Sequence, residues 1–156
     1  MKIIRCGNAF LALSIFCCSG RLFGGDAPAA KVITLNGTFC WNQNNQENDK
    51  NPIKIVLTPT ATANEYTAVF TFTWEYKAQT IKGTLKRDPK TGVVSGAAET
   101  LDKNKKWTFK SATGVMQKVP AWVEADRAAG NIAIQAYANG DENVRPNGFL
   151  TFKWAN

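Results

Sequence analysis

Histidine does not occur among the 156 residues of this chain. Its absence excludes nucleophiles activated by an imidazole base, zinc sites with histidine ligands and proton transfer through imidazole. Only two serines follow residue 20, Ser95 and Ser111, and neither lies in a Gly-x-Ser-x-Gly motif. The sequence also lacks a glycine-rich phosphate loop and a paired-cysteine metal motif. We therefore expect neither a metal nor a cofactor.

Carboxylates are the remaining candidates for catalysis, since glycosidases work with two acidic side chains. Glu124 and Asp126 lie two residues apart, a spacing that brings side chains together on a strand but not on a helix. Glu99 shares one face of its predicted strand with Val93 and Ser95, and that face is a candidate for the protein interior. Ordinary surface acids account for these residues as well. We expect a non-catalytic protein, with a carboxylate-based hydrolase as the alternative.

The first twenty residues have the pattern of a secretory signal peptide. Lys2 and Arg5 precede an apolar run at 9–18, and small residues end the segment at Ser19 and Gly20. The run is too short for a bilayer span, which needs roughly 20 apolar residues. We expect export to the periplasm or the extracellular space after cleavage near Gly20, with an uncleaved anchor as the alternative.

The remaining chain divides into a lead-in and one domain. Residues 21–30 are rich in Gly, Ala and Pro and predict a flexible lead-in, within which cleavage could also fall. Residues 31–156 are enough for a single core. Cys40 is then the only cysteine, so the domain has no internal disulfide. Its apolar neighbours Phe39 and Trp41 favour a buried thiol, with a reactive or intermolecular thiol as the alternative.

Alternation of apolar and polar residues recurs along the domain and predicts short β-strands. The clearest strand is 66–76, where aromatic side chains alternate mainly with threonines. Further strands are predicted at 32–41, 53–58, 80–87, 93–100, 107–111, 132–137 and 149–154. The segment from Pro120 to Gly130 interrupts this pattern, with proline near a helix start and glycine just past a helix end. It predicts a short helix, with an irregular strand as the alternative.

About eight strands and one short helix indicate an all-β fold, either an antiparallel up-and-down barrel or a sandwich. We favour the barrel because consecutive hairpins become neighbours and closure removes exposed sheet edges. The seven residues Gly37-Thr38-Phe39-Cys40-Trp41-Asn42-Gln43 resemble the first strand of calycins. Lipocalins carry Gly-x-Trp there and avidins Gly-Thr-Trp, whereas this chain has Phe39 at the tryptophan position and Trp41 two residues later. The resemblance implies a barrel architecture and indicates no ligand.

Aromatic residues are concentrated on the predicted apolar faces. Those that we consider candidates for ligand binding are Trp41, Tyr66, Phe70, Phe72, Trp74, Tyr76 and Trp107. Large rings supply the core of most β domains, so a packed interior is one explanation. An eight-stranded barrel is also near the size at which the interior holds one small ligand. Our main functional hypothesis is binding of an apolar or amphipathic small molecule.

Positive charge is concentrated between residues 77 and 110. This window holds nine basic and three acidic residues, and the whole chain has a net charge of +7. Lysines on the predicted outward faces form a candidate anion-binding surface of Lys82, Lys86, Lys106 and Lys110. Such a surface would attract anionic lipid or acidic polysaccharide, although lysines also prevent edge pairing of sheets. Nucleic acid fits poorly with export, and the oligomeric state is left open.

Overall fold

The computed structural model describes residues 31–41, 50–101, 103–111, 119–140 and 146–154. The predicted signal peptide and lead-in lie outside these ranges. The described residues form eight strands and one helix. In chain order these are β1 (Ile33–Trp41), β2 (Asn51–Pro59), β3 (Glu65–Trp74), β4 (Lys77–Arg87), β5 (Val94–Thr100), β6 (Lys106–Ser111), α1 (Ala121–Ala128), β7 (Ile132–Ala138) and β8 (Gly148–Phe152).

The eight strands form a closed antiparallel barrel in which consecutive strands are paired. β1 and β8 complete the barrel, with Gly37 opposite Phe152 and Trp41 opposite Gly148. The predicted all-β barrel with a single short helix is therefore confirmed, and the alternative of an open sandwich does not apply. Within the described ranges, no helix is both long and apolar enough to cross a membrane.

Alternation along each strand decides which side chains fill the barrel. On β3 the side chains of Ala68 and Phe70 are completely buried, whereas Thr67 and Thr71, which flank this pair in the chain, are exposed. Ile55 on the neighbouring β2 is also completely buried. The sequence pattern that predicted β3 is thus the pattern that builds the core, because every second side chain points to the same face.

Small residues line the interior where β4 and β5 pair. A Cβ atom added to Gly83 would lie 1.9 Å from the carbonyl oxygen of Ala97. One added to Gly96 would lie 2.1 Å from the carbonyl oxygen of Thr84. The backbones of β4 and β5 therefore lie so close together at Gly83 and Gly96 that a larger residue does not fit at either position.

This crowding also sets the orientation of β5. Val94 and Ala98 are buried in the interior, in phase with Gly96, while Val93 and Ser95 are exposed. The prediction that the face shared by Val93, Ser95 and Glu99 points inward is therefore wrong. The residues in phase with Gly96 take the interior positions, where the missing side chain of Gly96 leaves room for Leu85 of β4.

The end of the barrel at which β2, β4, β6 and β8 finish is plugged by Trp154. Its ring centroid lies 5.3 Å from that of Tyr66, with the two rings edge to face. The guanidinium carbon of Arg87 lies 5.1 Å from the Trp154 ring centroid on the same side of the barrel. Sequence alternation placed Trp154 in the last strand, but β8 ends at Phe152 and Trp154 folds across the end.

Helix α1 covers part of the outside of the barrel. Trp122 and Val123 are buried against an outward patch that contains Cys40 and Phe149. The short helix predicted between Pro120 and Gly130 and the predicted burial of Cys40 are confirmed. The thiol points away from the lumen, because its neighbours Phe39 and Trp41 on β1 take the inward positions.

A hydrogen bond fixes the helix to the barrel. The hydroxyl of Thr151 donates to the carboxylate of Asp126 over 2.5 Å. Thr151 is almost completely buried, so this acceptor satisfies a hydroxyl that would otherwise be removed from water without a partner. Asp126 thus has a structural partner on β8.

Candidate functional site

A cavity of about 590 Å³ occupies the end of the barrel opposite Trp154. We call this end the mouth; it is where β1, β3, β5 and β7 finish and where β2, β4, β6 and β8 begin. Deep in the cavity the lining is apolar and includes Ile53, Ile81 and Leu150. The volume lies within the range of sites that hold one small molecule.

The cavity ends where large side chains fill the barrel. Phe70 of β3 and Phe109 of β6 pack with their ring centroids 5.1 Å apart. Leu57 and Leu85, nearer the plugged end, are completely buried. One half of the interior is therefore a packed core, and the other half is open. A packed interior, one of the two explanations for the aromatic residues, therefore applies to one half of the barrel, and ligand binding in the other half stays a prediction.

Tryptophan rings form the upper wall of the cavity. Trp41 and Trp107 meet edge to face, with centroids 4.4 Å apart and planes inclined at 83°. Trp74 lies on the other side of Trp41, at a centroid distance of 6.3 Å. Phe39 and Phe72 continue this aromatic surface towards the core, 4.6 Å apart. The result is a continuous aromatic wall contributed by β1, β3 and β6.

The Trp107 indole is incompletely satisfied. Its N–H is buried and has no hydrogen-bond acceptor among the described residues. Leaving a buried donor without an acceptor costs about 1–3 kcal/mol. Because Trp107 lines the cavity, an occupant carrying an acceptor, together with a small shift of the ring, would relieve this cost.

Polar side chains lie at the rim of the cavity. Lys77, Gln79, Asn104, Lys105 and Glu75 all contribute to its lining. These polar side chains lie at the rim because β4 begins at the mouth and because the turn from β5 to β6 is at the same end of the barrel. The site therefore changes from apolar near the core to polar and charged near solvent.

The loop between β5 and β6 is held by its own hydrogen bonds. The backbone N–H of Lys105 donates to the hydroxyl of Thr100 over 3.1 Å. The backbone N–H of Lys103 donates to the carbonyl oxygen of Thr100 over 2.8 Å. Both bonds fix the short connection that places Lys105 beside the cavity.

The turn between β3 and β4 has an unusual backbone. Glu75 and Tyr76 are its two central residues and have φ values of 46° and 62°. A two-residue hairpin with both φ values positive is the type I′ turn, which favours asparagine and glycine. Glutamate and tyrosine are strained there.

The predicted ligand-binding residues separate into groups. Four of them line the cavity together: Trp41, Phe72, Trp74 and Trp107. Phe70 lies below them in the packed core, and Tyr66 lies at the plugged end beside Trp154. Tyr76 is fully exposed in the turn, so its predicted place on the inward face of β3 is wrong. The strand stops at Trp74, and the turn that follows leaves the Tyr76 side chain in solvent.

The sequence interpretation missed the polar rim. Gln79 is in phase with Ile81 and Leu85 on β4, so alternation alone would have placed it inside the barrel. Lys77 continues the same phase one step nearer the mouth. Lys105 carries no such signal, because its position depends on the turn that follows Thr100.

The lysine face consists of the outward side chains Lys82, Lys86, Lys106 and Lys110, all exposed on β4 and β6 as predicted. Glu99 of β5 stands directly opposite both Lys82 and Lys106. Glu65 of β3 stands opposite Lys86. Acidic neighbours are therefore interleaved with the lysines, which lowers the positive charge of this face.

The other acidic candidates already have partners. Glu124 accepts two hydrogen bonds from the Arg127 guanidinium, at 3.0 and 3.1 Å. Asp126 accepts the hydroxyl of Thr151. Both lie on α1 outside the barrel, so they do not face the cavity.

Comparison with protein-family models, with curated proteins and with solved structures finds no match for this chain. The function must therefore be argued from the site itself.

Proposed function

We propose that this protein is an exported, non-catalytic β-barrel that binds one apolar or amphipathic small molecule in the cavity at its mouth. The observation that carries the proposal is the 590 Å³ cavity above a packed core, with an aromatic wall that contains Trp41, Trp74 and Trp107. Ligand sites of this size are typically concave and mostly apolar, with a few polar groups. Burial of apolar ligand surface against these rings supplies the driving force.

The barrel suits binding because its wall is rigid. Rings from β1, β3 and β6 are fixed by strands that pair around a closed sheet. Tryptophan offers large apolar area at a low cost in conformational entropy, since it has only two side-chain torsions. An occupant therefore meets a largely preformed surface.

The proposal of a non-catalytic role rests on where the acidic residues lie. Glu99 points outward between Lys82 and Lys106. Glu124 and Asp126 are engaged with Arg127 and Thr151. Within the described part of the chain, Glu75 is the one carboxylate that lines the cavity, and glycosidic chemistry requires two. Export rests on the pattern of the first twenty residues.

Native mass spectrometry of the protein isolated from the exported fraction of its own host is the direct test. A small molecule that remains bound under gentle ionisation would support the proposal and give the mass of the ligand. Amino-terminal sequencing of the same sample would locate the cleavage site. An intact Met1 in the membrane fraction would contradict cleavage and favour the uncleaved anchor, whereas protein found only in the cytoplasm would contradict export.

A substitution that fills part of the cavity provides a second test, which does not require the natural ligand to be known. Ala136 is buried and lines the cavity, so Ala136→Leu should occupy part of the volume. We expect the neutral fluorescent probe N-phenyl-1-naphthylamine to bind this variant at least about tenfold more weakly. The control is Ala97→Leu, which adds the same group at an exposed position on β5. Equal binding by wild type and Ala136→Leu would contradict the proposed site.

A second proposal is that the lysine face contacts anionic lipid or acidic polysaccharide. It is favoured by the position of all four lysines on one continuous face across β4, β5 and β6. Binding to anionic vesicles should weaken with added salt. It should be lost when Lys82, Lys86, Lys106 and Lys110 are all replaced by glutamate. Vesicle binding that does not respond to salt would exclude this function.

A further inference from the structure

We propose that the occupant of the cavity is an anionic amphiphile whose apolar part lies against the tryptophan wall and whose acidic head group lies between Lys77 and Lys105. This inference rests on the proposed binding function and adds the chemical class and orientation of the ligand.

The two lysines flank the mouth from different hairpins. Lys77 is the first residue of β4 and stands opposite Trp74, which belongs to the aromatic wall. Lys105 directly precedes β6, in which Trp107 belongs to the same wall. Lys77 therefore lies directly across the hairpin from Trp74, and Lys105 lies two residues before Trp107. A lysine stem can lie along apolar surface while its charged end stays in water.

The charges of the lining favour an anion. Among the described residues, Lys77 and Lys105 are the basic residues of the cavity lining, and Glu75 is its acidic residue. All three are exposed, and the described part of the lining therefore presents a net charge of +1 to a head group that is still partly solvated. The attraction at such a site is moderate, because water screens it. This electrostatic attraction adds to the free energy gained by burying the apolar tail. Among ligands with the same tail, it favours the one with an anionic head group.

The order of side chains along the cavity gives the orientation. Phe109 and Leu150 form the deep lining near the packed core, where no charged side chain contributes. Gln79, paired opposite Phe72, is the first amide above them. The charged groups of Lys77 and Lys105 follow at the rim. An amphiphile inserted head first would bury its charge against aromatic rings, which is costly.

Glu75 provides a charge in the lining that opposes an anionic head group. It carries the one negative charge among the described lining residues, in the strained turn next to Lys77. It should oppose an acidic head group and slightly favour a cationic one. Replacing it with glutamine leaves a side chain of similar size, so a change in affinity reports charge and not shape.

The experiment compares three probes with the same ten-carbon chain on the full chain. Decanoate, decanol and decyltrimethylammonium each displace N-phenyl-1-naphthylamine, and their inhibition constants are measured at low and physiological salt. We expect decanoate to bind roughly tenfold more tightly than decanol at low salt. The cation should bind most weakly, and the preference for decanoate should decrease as salt is added.

Two matched double variants assign this preference to the rim. Lys77→Gln with Lys105→Gln should reduce the affinity for decanoate about tenfold and leave that for decanol unchanged. Lys82→Gln with Lys86→Gln removes the same charge from the outer face and should change neither. Glu75→Gln should strengthen decanoate binding about threefold. The unchanged decanol affinity serves as the check that each variant is folded.

The outcomes separate this inference from the function on which it rests. Equal affinities for decanoate and decanol, with the cavity still binding the neutral probe, would overturn the head-group assignment and leave the binding function intact. A preference for decanoate that is lost in the Lys82 and Lys86 variant would move the anion site to the outer face. Failure of all probes to bind would contradict the proposed function itself.

Discussion

Trp41 and Trp107 meet edge to face across the mouth of the barrel, with ring centroids 4.4 Å apart. They belong to β1 and β6, which are not paired in the sheet. The contact therefore crosses the lumen instead of following a strand pair. It joins two strands that are separated in the sheet by β7 and β8, at the level of the cavity.

Removing one ring of this pair should affect both stability and binding. We expect Trp41→Ala to lower the free energy of unfolding by about 2–4 kcal/mol, since Trp41 is only partly buried. The affinity for N-phenyl-1-naphthylamine should fall at least about fivefold because part of the aromatic wall is lost. Tyr76→Ala, at an exposed aromatic residue near the same end, is the control and should change neither quantity. Unaltered probe affinity in Trp41→Ala would show that the probe binds elsewhere.

A methyl group at Gly83 should be much more costly than one at Gly92. The Cβ of Gly83→Ala would lie 1.9 Å from a backbone oxygen of β5, so the two strands would have to separate. We expect a loss of about 3 kcal/mol or more in urea unfolding. Gly92 has a φ of 73° with open space around it, and Gly92→Ala should cost only about 1–2 kcal/mol of backbone strain. Equal losses would contradict the close approach of β4 and β5.

The plug at the other end should be coupled to the arginine beside it. Trp154→Ala should lower the free energy of unfolding by about 3–5 kcal/mol, because a large ring is removed from the end of the core. Arg87→Gln should cost less. A double-mutant cycle should give a coupling of about 0.5–2 kcal/mol for the cation and ring, whose separation is 5.1 Å. Strict additivity would mean that the contact contributes nothing to stability.

Asp88 should make a defined contribution to the acid stability of the β4–β5 turn. Hydrogen bonds from the backbone N–H groups of Thr91 and Lys90 to its carboxylate lower the pKa of Asp88 from its ordinary value of 3.8. The stabilisation that these hydrogen bonds give is therefore complete above the pKa of Asp88 in the unfolded chain. It is lost as the pH falls through the lower pKa of Asp88 in the folded protein. Asp88→Asn keeps an oxygen acceptor but does not titrate.

The measurement is urea unfolding of wild type and Asp88→Asn between pH 6 and pH 2. The difference in stability between the two proteins should be constant above about pH 5 and should narrow below about pH 4. Other carboxylates titrate in both proteins and cancel in the difference. A constant difference down to pH 2 would contradict the lowered pKa.

Residues that tolerate a positive φ should make the strained turn at the mouth more stable. Replacing Glu75 and Tyr76 with asparagine and glycine supplies the residues that a type I′ turn favours. We expect the free energy of unfolding to rise by about 1–2 kcal/mol and Tm to rise by several degrees. Tyr76→Gly alone should give a smaller gain. A fall in Tm for the double variant would show that Glu75 or Tyr76 makes contacts that outweigh the strain.

Much of the fold was predictable because its signal is local. Alternation of side chains has a period of two in any strand, so the inward residues of β3 from Tyr66 to Trp74 could be assigned without the rest of the chain. The same holds for the outward lysines Lys82 and Lys86. Pro120 and Gly130 delimited α1 for a similar reason, since they act on the backbone next to them.

The site depended on relations that no local pattern contains. Alternation placed Phe70 and Phe72 on the same face, yet one lies in the packed core and the other beside the cavity. That distinction depends on whether the rings from opposite strands fill the lumen at a given height, as those of Phe70 and Phe109 do. The sequence also did not settle which face of β5 points inward, because small residues occur on both faces; the structure places Val94, Gly96 and Ala98 inside.

The amino-acid sequence by itself determined which side of most strands faces the core, because alternation follows from the covalent geometry of neighbouring residues. The exception is β5, whose inward face became clear only in the tertiary structure. Only the tertiary structure decided where the interior is open and which charges border it. Closure of the sheet brings Trp41 to Trp107 and places both Lys77 and Lys105 at the mouth. These residues lie on separate hairpins, and their proximity is a property of the closed barrel.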